Sequence, residues 1–178
     1  MLTSLLTAQT RRFGRRYAYD TTFLEDLVAQ DLTGGLKLGL AMPFLDHRFG
    51  LPAAAYFAAR LVTAEAGGCG DCAELVLKLA EEAGVARHRL LPLLGGQAGD
   101  VVEPDLWLAA AFARAVLQDS PDQLDLGERV LDRFGRRGRI GLAAAIASEQ
   151  VYTVIKRGTG HALQCGAGPL AHTRKAGA

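Results

Sequence analysis

Cys69-Gly-Asp-Cys72 holds the side chains of this sequence best suited to chemistry. One helical turn apart, two thiols can close a disulfide or share a metal. From Cys72 onward Leu75, Val76, Leu79, Ala80 and Ala83 recur at the spacing of one buried helix face, and Gly84 supplies a stop. Gly67-Gly68 breaks the helix before. The pair therefore falls in a first helical turn, where unpaired N–H groups and the positive end of the dipole favour thiolate over thiol. Asp71, between the cysteines, is expected to cap the helix, and its charge opposes thiolate formation.

Competing chemistries fit less well. A thioredoxin-like site needs a strand before the motif, and no strand-like alternation precedes this one. Structural zinc takes about four ligands. Beyond the pair the chain offers Cys165 and the histidines His47, His88, His161 and His172, none at paired ligand spacing, so neither a metal nor a cofactor is expected. The plain structural alternative is two small buried hydrophobes at a helix start.

The rest of the composition narrows the setting. A chain of 178 residues with 49% apolar side chains can bury a core, and its length favours one domain, with two similar halves as one way to build it. Lys and Arg total 20 against 19 Asp and Glu, and a net charge of +1 gives no field for gripping nucleic acid or an anionic membrane. Three cysteines, an odd number, fit a reducing cytoplasm better than a secreted disulfide framework. No apolar run approaches the roughly 20 residues that span a bilayer. Arg11, Arg12, Arg15 and Arg16 make the N-terminus basic; with no apolar region after them, a solvated first helix is the preferred reading over an export signal or an anion-binding patch.

Helical periodicity runs through the chain. Thr22-Phe23-Leu24-Glu25 has the form of a capping box, with Phe23, Leu24, Leu27 and Val28 on one face of a helix expected to end near Gly34-Gly35. Residues 36–50 read as mixed. Pro52 opens a helix that Gly67 closes, and a short helix is expected over 88–94. Residues 95–100 mark a break rather than a phosphate cradle. Pro104 starts a helix with Leu106, Ala109, Ala110, Ala113, Val116 and Leu117 inside, and Ser120-Pro121-Asp122-Gln123 starts another that Phe134-Gly135 closes. An Ala-rich helix over 139–157 is expected at the centre or at a subunit contact. Residues Ala55 to Arg60 echo Ala110 to Arg114, a weak internal repeat. The pattern predicts an all-α bundle of six to eight helices over 1–160, with 161–178 a flexible tail.

The cysteine pair at the start of a middle helix, within the stretch LPAAAYFAARLVTAEAGGCGDCAELVLKLAEEAGV (51–85), resembles the carboxymuconolactone decarboxylase-like or alkylhydroperoxidase D-like family across residues 17–160. The likeness is to an uncharacterised branch, with Tyr17-Ala18-Tyr19-Asp20 near the start. It implies an all-helical fold and a homo-oligomer, whether dimer, trimer or hexamer. It also implies that Cys72 attacks a peroxide and Cys69 resolves the product as a disulfide. The peroxidase members carry a proton relay of one glutamate and two histidines; here those positions hold Phe57, Asp71 and Val76. Glu65, Asp71, Glu74 and Tyr56 are the nearby substitutes.

Three functions follow as expectations. The first is a thiol-dependent oxidoreductase that reduces a small-molecule peroxide or a partner's disulfide and is restored by a dithiol or reductase. The second is a non-catalytic homo-oligomeric scaffold or binding protein on the same fold. The third is a lactone or other small-molecule enzyme using Tyr56, Glu65 or His47. Sulfurs that point apart, or that no reagent can reach, would leave only the scaffold.

Overall fold

In a computed structural model describing residues 2–96 and 102–164, the chain is an all-α multi-helix bundle. Eight α-helices follow in order among the described residues: α1 (Leu2–Tyr17), α2 (Thr22–Gln30), α3 (Leu32–Leu45), α4 (Ala53–Ala66), α5 (Gly70–Glu82), α6 (Arg87–Leu90), α7 (Pro104–Leu117) and α8 (Gln123–Gly158). None of them is long and apolar enough to cross a membrane.

The hub is α4. Every residue from Ala55 to Ala64 is buried, as expected of a helix covered on all sides, and α5, α7 and α8 all pack on it. The echoed alanines explain its close partnership with α7: Ala55, Ala58, Ala59, Ala109, Ala110 and Ala113 are at most 1% exposed, and such small side chains let two helix axes approach. Pro52 precedes α4 as its N-cap, and Pro104 is the first residue of α7. Val116, expected inside, is 38% exposed, while Ala115 beside it is 5% exposed, so the buried stripe of the last turn of α7 runs through Ala115.

The long helix α8 divides at Gly135, whose φ of 69° lies where side-chain-bearing residues are strained. The break falls where Phe134-Gly135 predicts it. Beyond it Leu142, Ala145, Ile146, Ser148, Glu149, Thr153 and Lys156 are buried, so this half is central to the bundle. The chain after it forms a short 3-10 turn, His161–Gln164, with His161 Nε2 3.0 Å from Asp26. The expected tail from Cys165 onward, and the loop residues 97–101, lie outside the described residues.

Two boundaries near the N-terminus differ from the sequence reading. The capping box is replaced by Asp20, whose carboxylate accepts from the Thr22 amide at 3.0 Å, while Thr21 is the N-cap residue. Nor does α2 run to Gly34-Gly35. Asp31 stops it and caps α3 by accepting from the Thr33 and Gly34 amides at 2.9 and 3.0 Å. Both glycines lie inside α3, and a Cβ on Gly35 would stand 2.7 Å from the Val28 side chain, so Gly35 serves close packing between α2 and α3. The stretch read as mixed is helical through Leu45.

A candidate active site at the cysteine pair

The α4–α5 connection sets the geometry of the pair. Gly67 ends α4, Gly68 turns the chain at φ 67°, and the Cys69 amide returns to the Ala64 carbonyl at 3.2 Å. Gly67 is also sterically required: a Cβ there would meet Thr153 of α8 at 2.9 Å. Cys69 thus arrives in extended conformation as the N-cap of α5, its Sγ accepting from the Cys72 amide at 3.2 Å. The cap expected of Asp71 is therefore filled by Cys69, since the cap position lies one residue before the helix starts and Asp71 is already inside its first turn. The two sulfurs point at each other and form a disulfide, with an S–S distance of 2.12 Å.

Both sulfurs sit in the core, with Cys69 4% and Cys72 1% exposed. Cys72 nonetheless lines a cavity of about 720 Å³. Its walls are mostly apolar and come from α1, α2, α3 and α5, with Phe13, Leu27, Met42, Leu75 and Leu79 among them. The α5 stripe is accordingly wider than its periodicity suggests: Cys72, Ala73, Val76, Leu77 and Ala80 enter the core, Leu75 and Leu79 face the cavity, and Ala83 is exposed.

One part of the cavity wall is polar. Asp46, Arg60, Glu149 and Tyr152 all line it. Arg60 Nε and Nη2 each reach Glu149 Oε2 at 2.9 Å, and Nη1 reaches Asp46 Oδ1 at 3.3 Å. Burial works against the Arg60 charge, but Glu149, with Tyr56 and Asp46, outweighs it and holds the guanidinium above the ordinary arginine pKa. Burial likewise pushes the Glu149 carboxyl and the Tyr152 phenol above their ordinary values.

A phenol meets the disulfide on the other side. Tyr19 Oη lies 3.7 Å from Cys72 Sγ; a disulfide sulfur carries no hydrogen, so the phenol donates. Tyr19 is held by the end of α1: Ala18 turns at φ 47°, and the Tyr19 amide donates back to Gly14 at 2.9 Å. A Cβ on Gly14 would stand 2.8 Å from the Tyr19 carbonyl. Behind the ring, the Lys156 ammonium lies 4.3 Å from its centroid and 5.1 Å from that of Phe23.

The four substitutes for a relay do not line this cavity. Glu65 accepts from the Gly95 amide at 2.7 Å and from Arg114 at 3.1 Å, fixing the chain after α6. Glu74 is clasped by Arg87, whose hydrogen bonds hold its carboxyl below the ordinary value. Asp71 is half-buried on α5. Tyr56 sits behind Arg60, accepting from it at 3.4 Å and donating to the Asp46 carbonyl at 3.2 Å. Phe57 and Val76 are in the core. His47 is exposed, its ring against Phe49.

Arg60, Glu149, Tyr152 and Lys156 are the cavity and core residues that sequence reasoning passed over. Their signal was available: Arg60 is the one basic residue of an otherwise apolar α4 segment, and charged side chains in such surroundings are paired when buried. The fold and site together define an all-helical protein whose cysteine pair opens a core helix beside a cavity. The chain matches no family model, no curated protein and no solved structure with which it was compared.

Proposed function

We propose that the protein is a thiol-dependent oxidoreductase in which Cys69 and Cys72 cycle between dithiol and disulfide, in the manner of the alkylhydroperoxidase D-like proteins it resembles. The observation that carries this reading is the bonded pair at the start of α5 with Cys72 on a cavity wall. The Cys72 thiolate attacks one oxygen of a peroxide: an S–O bond forms, the O–O bond breaks, and the departing oxygen takes a proton to leave as an alcohol or water. Cys69, as thiolate, then attacks the Cys72 sulfur; the S–S bond forms and water departs with a proton from solvent. An external dithiol reduces the disulfide by exchange. A partner's disulfide can replace the peroxide as oxidant.

The cavity supports Cys72 as the attacking residue, because it is a route to that sulfur from outside the core. The amide that donates to Cys69 Sγ supports Cys69 as the resolving residue, since an N-cap position stabilises an anion. We further propose that the protein acts in the cytoplasm as a homo-oligomer.

Mild peroxide added to reduced protein tests this. One intramolecular disulfide should form, seen as a loss of two thiols and about two daltons, and Cys72→Ser should abolish it; thiol counts unchanged by peroxide and by oxidised partner dithiols would rule the function out. The second reading, a scaffold with a structural disulfide, draws on the burial of both sulfurs and on Phe57 and Val76 at the relay positions. It expects that unchanged count together with a stable multimer in native mass measurements.

A further inference from the structure

We infer that Tyr19 is a catalytic residue of the cysteine pair, its hydroxyl holding Cys72 as a thiolate, and that Lys156 is a positioning residue acting through the Tyr19 ring. The inference deepens the oxidoreductase reading and rests on it. Its ground is the stacking order of three side chains from three parts of the fold: Cys72 Sγ on α5, Tyr19 Oη 3.7 Å away in the α1–α2 turn, and Lys156 Nζ on α8, 4.3 Å from the ring centroid.

Cys72 lacks a base at the next helical turn, where Val76 stands. The charged and titratable groups around it must supply the stabilisation instead. On α5 these are Asp71 and Glu74, both acidic, and Glu74 is engaged by Arg87. From α4 comes Arg60, from α8 Glu149 and Tyr152, and from the end of α3 Asp46; the guanidinium is shared between the two carboxylates. Lys156, whose charge also acts on the Asp20 carboxylate, and the amides at the start of α5 are further positive features. Among the described residues that line the cavity beside Cys72, Tyr19 hydrogen-bonds its sulfur through the phenol.

A phenol in this place answers the chemical need. When the Cys72 thiol loses its proton to solvent, the sulfur gains a full charge beside mostly apolar walls. The Tyr19 O–H already points at that sulfur and donates without rearranging, and hydrogen bonds to the charged form favour it. A cation over the ring face draws electron density from the phenol and strengthens its O–H as a donor. Tyr19 itself is 8% exposed and wedged edge-on between Phe13 and Phe23, so its hydroxyl has little freedom to turn away. The electrons of the redox cycle stay with the sulfurs and the peroxide; Tyr19 is neither oxidised nor consumed.

The test follows thiolate absorbance against pH in reduced protein carrying Cys69→Ser and Cys165→Ser, so that Cys72 is the one thiol left to titrate. Tyr19→Phe keeps the ring and should raise the Cys72 pKa by about one unit, lowering the thiolate fraction by up to about tenfold at pH values below the midpoint. Lys156→Met should shift it the same way by less, and Lys156→Arg should restore it. A Cys72 titration that Tyr19→Phe leaves unmoved overturns the inference. A Lys156→Met titration equal to the parent's, or a shift that Lys156→Arg does not rescue, overturns the part assigned to Lys156; should Lys156→Met fail to fold, Lys156→Gln takes its place in the same comparison, and the phenylalanine variant decides for Tyr19. Because titration needs no turnover, it separates from the proposed function: a wild-type protein inert to peroxide would end that reading while leaving the Tyr19 shift measurable.

Discussion

The guanidinium of Arg60 on α4 grips the Glu149 carboxylate on α8 with two nitrogens at 2.9 Å, in a place where the two side chains are 7% and 3% exposed. Neither charge can be abandoned there. Arg60→Met is expected to cost about 3–5 kcal/mol, because it strands a buried carboxylate. Arg60→Met with Glu149→Leu should recover most of that loss, since replacing both partners by apolar groups removes the need for either. Denaturant midpoints of the two variants check this; a double variant no more stable than the single would show that the pair is not the source of the loss.

Gly141 of α8 lies under the carbonyl oxygen of Arg48, which a Cβ would approach to 2.4 Å. A backbone atom cannot swing aside as a side-chain tip can. Gly141→Ala should therefore destabilise the fold by about 1–3 kcal/mol. Gly39 of α3 has nothing within 4 Å of its would-be Cβ, and Gly39→Ala should stabilise by roughly 0.5–1 kcal/mol. Thermal melts of this pair separate steric from conformational effects of adding the same methyl group.

Reduction of the disulfide should leave the helical content unchanged, because Cys69 and Cys72 are surrounded by core contacts that do not depend on their bond. The closed loop is only a few residues, for which chain entropy accounts for roughly 2 kcal/mol. Far-UV circular dichroism with and without a dithiol measures the first point and denaturant midpoints the second. Collapse of the helix signal on reduction would contradict both.

Acid should loosen the surface ion pairs first. Hydrogen bonds from Arg87 hold Glu74 below the ordinary carboxylate pKa, and those from Arg133 do the same for Asp105. A depressed folded-state pKa contributes stability that is complete above the unfolded value and lost as pH falls through the folded one. Stability should thus decline below about pH 5, and Glu74→Gln should flatten that decline while costing about 0.2–1 kcal/mol near neutrality. A pH series of melts on both proteins reads the difference.

Much of this architecture can be read from periodicity and punctuation. Pro52, Gly67-Gly68, Gly84, Pro104 and Gly135 bound elements where their backbone preferences require, and the apolar stripe of α5 brings Cys72 inward. Asp31 is hidden by Gly34-Gly35 three residues on, which read as the helix stop until α3 is seen to pack on α2. The pair itself was legible from spacing, whereas its surroundings were not. Proximity in sequence pointed to Glu65, Asp71, Glu74 and Tyr56, yet a helix surface carries such neighbours away from one another. Tyr19, Arg60, Glu149 and Lys156 come from 53 residues before Cys72 to far beyond it, and only helix packing brings their side chains together. Single charges embedded in alanine-rich helices are the signature that would have found two of them.

Cys69 serves α5 twice, as one half of the disulfide and as the acceptor for the Cys72 amide. Local folding and electron affinity are then joined in one thermodynamic cycle, and a substitution that stabilises the helix start more in one oxidation state than in the other shifts the redox equilibrium by that difference. Chemically inert changes in the first turn of α5 that distinguish the two oxidation states are consequently a means of setting the midpoint at which the sulfurs accept electrons.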